Sequence, residues 1–324
     1  MDTYIIAEAG VNHNGDPQKA FRLIDIASSC GADAVKFQTF KTENLVTKNA
    51  RTASYQKKST KSLTQFEMLK DLELPKSIHF ELLDYAKEKS IDFMSTAFDS
   101  DSLRFLVHDL GLSKLKISSG DITNEPFLLE HAQTGSEIII STGASTMDEI
   151  ENALSALAYG FLEKSKTQIK RAEFREAYLS KEGQKLLREN ITILHCVSEY
   201  PAPKKELNLK TIKAIKERFN IPVGYSDHST EITAPMIAVA LGSSVIEKHF
   251  TLDKTLDGPD HQASLDKDEL EKTIKLIRLS ELMLGDGKKV PSSSELKNQK
   301  IIRKSLFAKT DIKRGEEYTL DNIA

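Results

Sequence analysis

Short apolar runs alternate with amphipathic stretches along most of the chain. The apolar runs predict strands at TYIIAEA (3–9), ADAVKFQTF (32–40), IDFMSTAF (91–98), KLKISS (114–119), EIIIST (137–142), ITILHCVSEY (191–200), IPVGYSD (221–227) and SSVIEKHF (243–250). Each is rich in Ile, Val, Phe or Thr, and most are bounded by Gly, Asp, Asn or Pro. Between them the apolar period lengthens to that of a helix. Near 17–30, Ala20, Leu23, Ile24 and Ala27 share one face, and near 267–284 Leu270, Ile274 and Ile277 do the same. Further helices are predicted near 77–89, 100–110, 125–134, 146–159, 207–218 and 231–241. Strand–helix units in succession imply parallel pairing, because each strand returns through a crossover helix. Eight such units over roughly 280 residues favour a closed (β/α)8 TIM barrel over a doubly wound open sheet.

Two segments break the rhythm. Residues 41–76 form a long polar excursion containing TASYQKK and QFEMLKDLELP, of a length that in compact domains often belongs to a functional lid. Residues 161–190 form a charged, helical insertion, read as a solvated decoration. The barrel is expected over 1–284 and a linker with Pro291 and a serine run over 285–304. The segment 305–324 reads as the strand and turn that start a small module, too short to bury a core of its own.

Composition narrows the class. With 324 residues, 39% hydrophobic and 29% charged, the chain suits a globule with a core and excludes wholesale disorder. A formal charge of −3 gives no general electrostatic reason to bind nucleic acid or an anionic membrane. Cys30 and Cys196 are too few for a disulfide scaffold or a four-cysteine zinc site, and read as free thiols of a reducing compartment. MDTYIIAEAG lacks the basic start and apolar run of a signal peptide, and no stretch approaches the roughly 20 apolar residues of a membrane span. A cytoplasmic protein is expected.

In a parallel barrel, chemistry gathers at the C-terminal ends of the strands, which gives every polar residue a positional test. Of eight histidines, His79, His108 and His131 fall within helices and are expected at the surface, while His13, His195 and His261 lie in or after strands. His228 and His249 end neighbouring strands, where neutral imidazoles could hold one divalent ion and leave positions for water and substrate. Lys36 and Lys116 lie inside strands, with Gln38, Thr96, Ser119, Ser141 and Ser226 at comparable depth. Two cations ringed by hydroxyls suit a phosphate or carboxylate. Two other readings remain: one lysine pairs with Glu8 or Glu247 while the other reaches the rim, or one forms a Schiff base. Glu8 is placed to point into the barrel mouth as base or acceptor, and Asp121 and Asp260 sit in loops where they could hold sugar hydroxyls. Tyr200 could add a ring or hydroxyl to the same mouth.

Taken together, AEAGVNHNGD, VKFQTFK, STAFD, KISSGD, STGAS, HCVSEYPAP, GYSDHS, EKHFTLDKTLDGPDH and RKSLFAKTDIKRGE resemble, in order, the blocks of the sialic acid synthase (NeuB-type nonulosonate synthase) family, from about residue 3 to the end. The resemblance implies a (β/α)8 barrel followed by an antifreeze-like (SAF) domain, here incomplete. It implies condensation of phosphoenolpyruvate with an N-acetylated mannose-type sugar to a nine-carbon keto acid and phosphate. N-acetylmannosamine would give N-acetylneuraminate, and a 2,4-diacetamido-2,4,6-trideoxymannose would give a legionaminate; a pseudaminate-type product ranks third. By the same resemblance His228 and His249 hold a divalent metal, Mn²⁺ ahead of Mg²⁺ or Co²⁺. Lys36, Thr96, Lys116, Ser119, Ser141, Ser198 and Ser226 bind phosphoenolpyruvate. Gln38, Asp121, Tyr200 and Asp260 take the sugar, and Glu8, Lys36 and Lys116 are catalytic.

The chain departs from the family pattern at Asp121, where Glu is frequent, and at Ser198, where Asn or Thr is common. The family also implies a domain-swapped homodimer whose partner delivers an arginine over the sugar, and Arg314 of the KRG turn does not match it. Rival readings are a synthase for a phosphorylated aldose, which would need a further basic site, a Schiff-base aldolase, and a carbohydrate-binding barrel without turnover.

Overall fold

Eight parallel strands close into one barrel in chain order: β1 (Tyr4–Gly10), β2 (Ala34–Thr39), β3 (Asp92–Ala97), β4 (Lys114–Ile117), β5 (Glu137–Ser141), β6 (Ile191–His195), β7 (Val223–Asp227) and β8 (Val245–His249), with β1 paired to β8. The computed structural model describes residues 2–50, 64–163 and 170–324, so TASYQKK lies outside the described residues. The side-chain period of two explains the closure. Ile5, Ala7, Val35, Phe37, Ile138, Ile140, Ile193 and Ile246 point outward into one continuous core beneath the helices. Ile6, Ala34, Met94, Ile139, Leu194 and Val245 alternate with them and fill the barrel's lower interior. Two residues further along each strand the interior turns polar.

The crossover helices follow the predicted periodicity. They are α1 (Pro17–Ser29), α2 (Thr42–Leu45), α3 (Gln65–Leu72), α4 (Lys76–Glu88), α5 (Ser100–Arg104), α6 (Glu125–Gln133), α7 (Met147–Leu162), α8 (Arg171–Leu179), α9 (Lys181–Asn190), α10 (Thr211–Phe219), α11 (Ala234–Ala240) and α12 (Lys267–Leu284). Asp16 caps α1, with Pro17 at its first position, and α1 buries Ala20, Leu23, Ile24 and Ala27. A π-helical turn, Phe105–Asp109, continues α5. The sixth strand ends at His195, short of the expected 200, and beyond it the Val197 carbonyl accepts from His228 Nδ1 at 2.6 Å.

The structure corrects two expectations. His79 and His131 are buried, not at the surface, while His108 is exposed. His131 Nδ1 donates to the Phe127 carbonyl at 2.8 Å and its ring packs edge-on against Phe127; His79 Nε2 meets Thr39 Oγ1 at 2.9 Å. Both sit on the inner face of their helices, which membership of a helix alone does not reveal. The 161–190 insertion is more than a solvated decoration: α8 buries Phe174 and Ala177, and Phe174 packs on Tyr159 of α7, while α9 buries Leu187.

The chain divides into two compact units, one up to Met283 and one from Leu284 to Ala324. The second holds α13 (Ser293–Ile302), within the stretch read as linker, where Ser292 and Glu295 form a capping box. Phe307 and Ala324 exchange backbone hydrogen bonds, and Lys309 N–H donates to the Asn322 carbonyl at 2.8 Å.

Candidate active site

The polar interior opens into a cleft of about 500 Å³ at the C-terminal ends of the strands, and every predicted site residue lines it. Strand register brings them together. Glu8 pairs with Lys36, Gln38 with Thr96, Thr96 with Lys116, Ser226 with Glu247, and Glu8 with His249 on its other side. His13, His195 and His261 stay outside. His13 accepts the Gly15 N–H at 3.0 Å, His195 meets the Leu207 carbonyl, and His261 meets Thr251 and Asn14.

The floor is a buried ionic cluster. Lys36 Nζ lies 2.6 Å from Glu8 and 3.4 Å from Glu247, and donates to Thr96 Oγ1 at 2.9 Å. Lys116 Nζ stands 3.9 Å from Glu247 and donates to the Ile117 carbonyl at 3.0 Å. Both lysines are at least 96% buried, so neither reaches the rim. Burial raises Glu8 to about 7, helped by repulsion from Glu247 and against the pull of Lys36. Burial would raise Glu247 too, but Lys116 and Lys36 on either side hold it below the usual carboxylate range. Lys36 is raised by its two carboxylates against the effect of burial, whereas burial lowers Lys116. The unequal settings of two neighbouring carboxylates are the pattern that separates a base from a charge stabiliser.

Hydroxyls ring the β4–β6 side. Gly143 N–H donates to Ser119 Oγ at 2.9 Å, and Ser119 lies 3.2 Å from Cys196 Sγ. A Cβ at Gly143 would stand 2.0 Å from Ser198 Oγ, so a side chain there would push the serine hydroxyl aside. Ser118, Ser119, Ser141 and Ser198 all line the cleft together with Lys116.

The β6–β8 side carries the histidines. Because the Val197 carbonyl can only accept, His228 Nδ1 holds the proton and Nε2 presents its lone pair, 3.1 Å from Tyr200 Oη and 3.3 Å from Ser226 Oγ. The Tyr200 ring stacks on His228 at 4.2 Å, and the His228 and His249 rings lie 5.5 Å apart. His249 Nδ1 is buried with no hydrogen-bond partner among the described residues and stands 3.9 Å from Asp260. Burial lowers His228 to about 4 and His249 well below its usual value, with His228 adding repulsion. Burial raises Asp260 to about 6, and raises Asp121 as well.

The NeuB family pattern matches residues 23–289. The chain belongs to the NeuB family. It is 47% identical to an N,N'-diacetyllegionaminic acid synthase of Campylobacter jejuni, over 99% of this chain and 89% of the relative. An N,N'-diacetyllegionaminic acid synthase of Legionella pneumophila is 42% identical, over 100% and 85%. Among solved structures, an N-acetylneuraminic acid (sialic acid) synthetase from Leptospira borgpetersenii superposes with a TM-score of 0.76 at 33% identity, covering 93% of this chain and 91% of that one. NeuB synthases are phosphoenolpyruvate-dependent condensing enzymes and in general depend on a metal.

The residues of this NeuB chain fit a divalent ion. His228 Nε2 and the orphaned nitrogen of His249 are neutral, buried and adjacent, which is how imidazoles bind metal, and the Val197 carbonyl fixes one ring from behind. Among the described residues no three His, Cys, Asp or Glu side chains gather closely enough to hold an ion alone. Two histidines would leave its other positions to water and substrate.

Sequence reasoning passed over two parts of the cleft. Glu247 was read only as an alternative partner for a lysine, although its place two residues before His249 sets it on the same face. The β1–β3 side is apolar: Val11, Phe40, Leu45, Val46, Met68 and Leu69 line it, and Phe40 meets Phe98 edge to face at 6.3 Å. QFEMLKDLELP carries the helical period that could have revealed this wall.

Proposed function

We propose that this NeuB-family chain condenses phosphoenolpyruvate and water with a 2,4-diacetamido-2,4,6-trideoxymannose, giving a legionaminate-type nine-carbon keto acid and phosphate. One observation carries the reaction: a buried pair of lysines, shared by two unequally set carboxylates, lies beneath a serine rim and faces two neutral histidines.

In this reading Lys36 and Lys116, with Thr96, Ser119, Ser141, Ser198 and Ser226, hold the phosphate and carboxylate of phosphoenolpyruvate through charge-assisted hydrogen bonds. Gln38, Asp121, Tyr200 and Asp260 hold the open-chain sugar with its aldehyde toward the enol carbon. Such alignment is worth roughly 7–11 kcal/mol of barrier. The enol carbon bonds to the aldehyde carbon, water adds at C2 of the enolpyruvyl unit, and the tetrahedral adduct releases phosphate by C–O cleavage. Glu8, set near neutrality by burial, takes the proton of that water. His228 and His249 would hold a divalent ion, Mn²⁺ by the family resemblance, which would supply Lewis acidity toward the aldehyde.

Two features support the sugar. Lys36 and Lys116 are the only Lys or Arg side chains among the described residues lining the cleft, and both are taken up by phosphoenolpyruvate in this reading. The apolar wall of Phe40, Met68 and Leu69 suits the C6 methyl and acetamido methyl groups better than the hydroxyls of N-acetylmannosamine, and agrees with the names of the two relatives above. Phosphate release from phosphoenolpyruvate with each sugar, and mass analysis of the product, tests the reading. Release with neither sugar rejects it, and trapping of pyruvate on a lysine by borohydride would replace it with a Schiff-base aldolase.

A further inference from the structure

A second buried ion pair lies on the outer faces of the two strands that carry the histidines. Lys248 and Asp227 are 1% and 0% exposed, and Lys248 Nζ lies 2.7 Å from Asp227 Oδ2. They are register partners, the last paired rung of β7 and β8, and they point away from the cleft. One residue further along each strand stand His228 and His249.

The pair holds the backbone just after His228, at Ser229, and a tyrosine side chain before it. Asp227 Oδ1 accepts the Ser229 N–H at 2.9 Å and the Tyr225 hydroxyl at 3.1 Å, while Lys248 Nζ donates to the Ser229 carbonyl. On the inner face of the preceding rung, Ser226 Oγ donates to Glu247 Oε1 at 2.7 Å. Strands normally fray where their ladder ends, yet here both faces are bridged across the last two rungs. A buried ion pair adds little net stability compared with apolar residues of the same size, so its cost points to a geometric role. Metal ligands need such support, since a supporting partner of a ligating histidine commonly alters affinity tenfold to a hundredfold.

We propose that Asp227 and Lys248 are positioning residues that fix the separation and orientation of His228 and His249 as a two-histidine metal site. The inference rests on the metal reading given above.

The test is a free-ion titration with Mn²⁺ followed by electron paramagnetic resonance, beside thermal unfolding and steady-state kinetics. Asp227→Asn alone strands the Lys248 charge and should lower Tm sharply. The double variant Asp227→Asn/Lys248→Met keeps an acceptor for Tyr225 and Ser229 but removes both charges. It should recover most of the Tm while binding Mn²⁺ about tenfold to a hundredfold more weakly. Its kcat should fall, with KM for phosphoenolpyruvate within about twofold of wild type, because the floor lysines are untouched. A double variant with wild-type Mn²⁺ affinity would show the pair to be structural only and overturn the inference. If the double variant does not fold, Tyr225→Phe carries the decision. It loses one hydrogen bond to Asp227 and should weaken Mn²⁺ binding severalfold at near-normal Tm; unchanged affinity overturns the proposal. Wild-type protein that binds no Mn²⁺ would instead reject the metal reading itself.

Discussion

Glu8 and Glu247 share the same lysines but not the same electrostatic load. Glu247 sits between both cations and stays charged, whereas Glu8 is raised to about 7 by burial and by Glu247 itself. The rate should therefore fall on the acid side at a pH above the usual carboxylate range, as Glu8 takes up a proton. Because the carboxylates interact, that limb belongs to the pair. Glu247→Gln removes the repulsion, so the limb should move to lower pH even as kcat declines; a limb that stays in place would remove Glu8 from the role of base. Lys116→Met deletes one charge-assisted bond worth about 1.5–3 kcal/mol. KM for phosphoenolpyruvate should rise roughly tenfold to a hundredfold while the sugar KM changes little, and the reverse split would place Lys116 on the other substrate. His131 shows a different use of burial, holding its ring neutral with a pKa near 4. The unfolded state then binds more protons than the folded one between about pH 6.5 and 4. The contribution of His131 to stability is complete above 6.5 and is lost, to the extent of roughly 3 kcal/mol, as pH drops through that window. His131→Leu should flatten this part of the acid denaturation curve, and an unchanged slope from pH 6.5 to 4 would show that His131 is not its source.

Among the elements, those whose burial follows a simple period were readable from the chain. Every strand showed its β-rich run, and polar residues in those runs, such as Lys36, Lys116 and Glu8, marked where the barrel interior turns from packing to chemistry. The apolar wall was harder to read. Met68 and Leu69 lie in a segment whose overall polarity suggests a loop, and Phe40 looks like the end of an ordinary strand. Only the fold shows that α3, capped at Thr64 by Glu67, brings Met68 and Leu69 to the same side of the mouth as Phe40 and Phe98. Burial of the helical histidines stayed hidden because it depends on which face of α4 and α6 meets the barrel. The wall makes a prediction of its own. An apolar pocket discriminates against an added hydroxyl by about a hundredfold at most. kcat/KM for the diacetamido trideoxy sugar should thus exceed that for N-acetylmannosamine by roughly tenfold to a hundredfold, and Phe40→Asn should narrow the ratio. A ratio near one in the wild type, or one unmoved by Phe40→Asn, would take the wall out of sugar selection.

At the scale of the whole molecule, the barrel closes on itself through its first and last elements. β1 finds its second neighbour only in β8, and α12 then secures the seam. Arg278 donates to the Thr3 carbonyl at 2.7 Å and lies 2.8 Å from Asp33, Glu281 accepts the Thr3 N–H, and Leu270, Ile274 and Ile277 are buried. Each of these apolar side chains contributes about 1.5–3 kcal/mol, so α12 supplies roughly 5–9 kcal/mol, comparable to the net stability of a typical domain. The residues from Leu284 onward form a compact unit of their own. A chain ending at Leu284 should therefore fold with a Tm within a few degrees of the longer one and retain phosphoenolpyruvate binding. A chain ending at Asp266 should not fold cooperatively, because β1 loses its anchor and the α12 face of the core meets water. Calorimetry of the two truncations decides the matter: a cooperative transition in the shorter chain would refute the seam, and loss of the transition in the longer one would show that the barrel depends on residues beyond it.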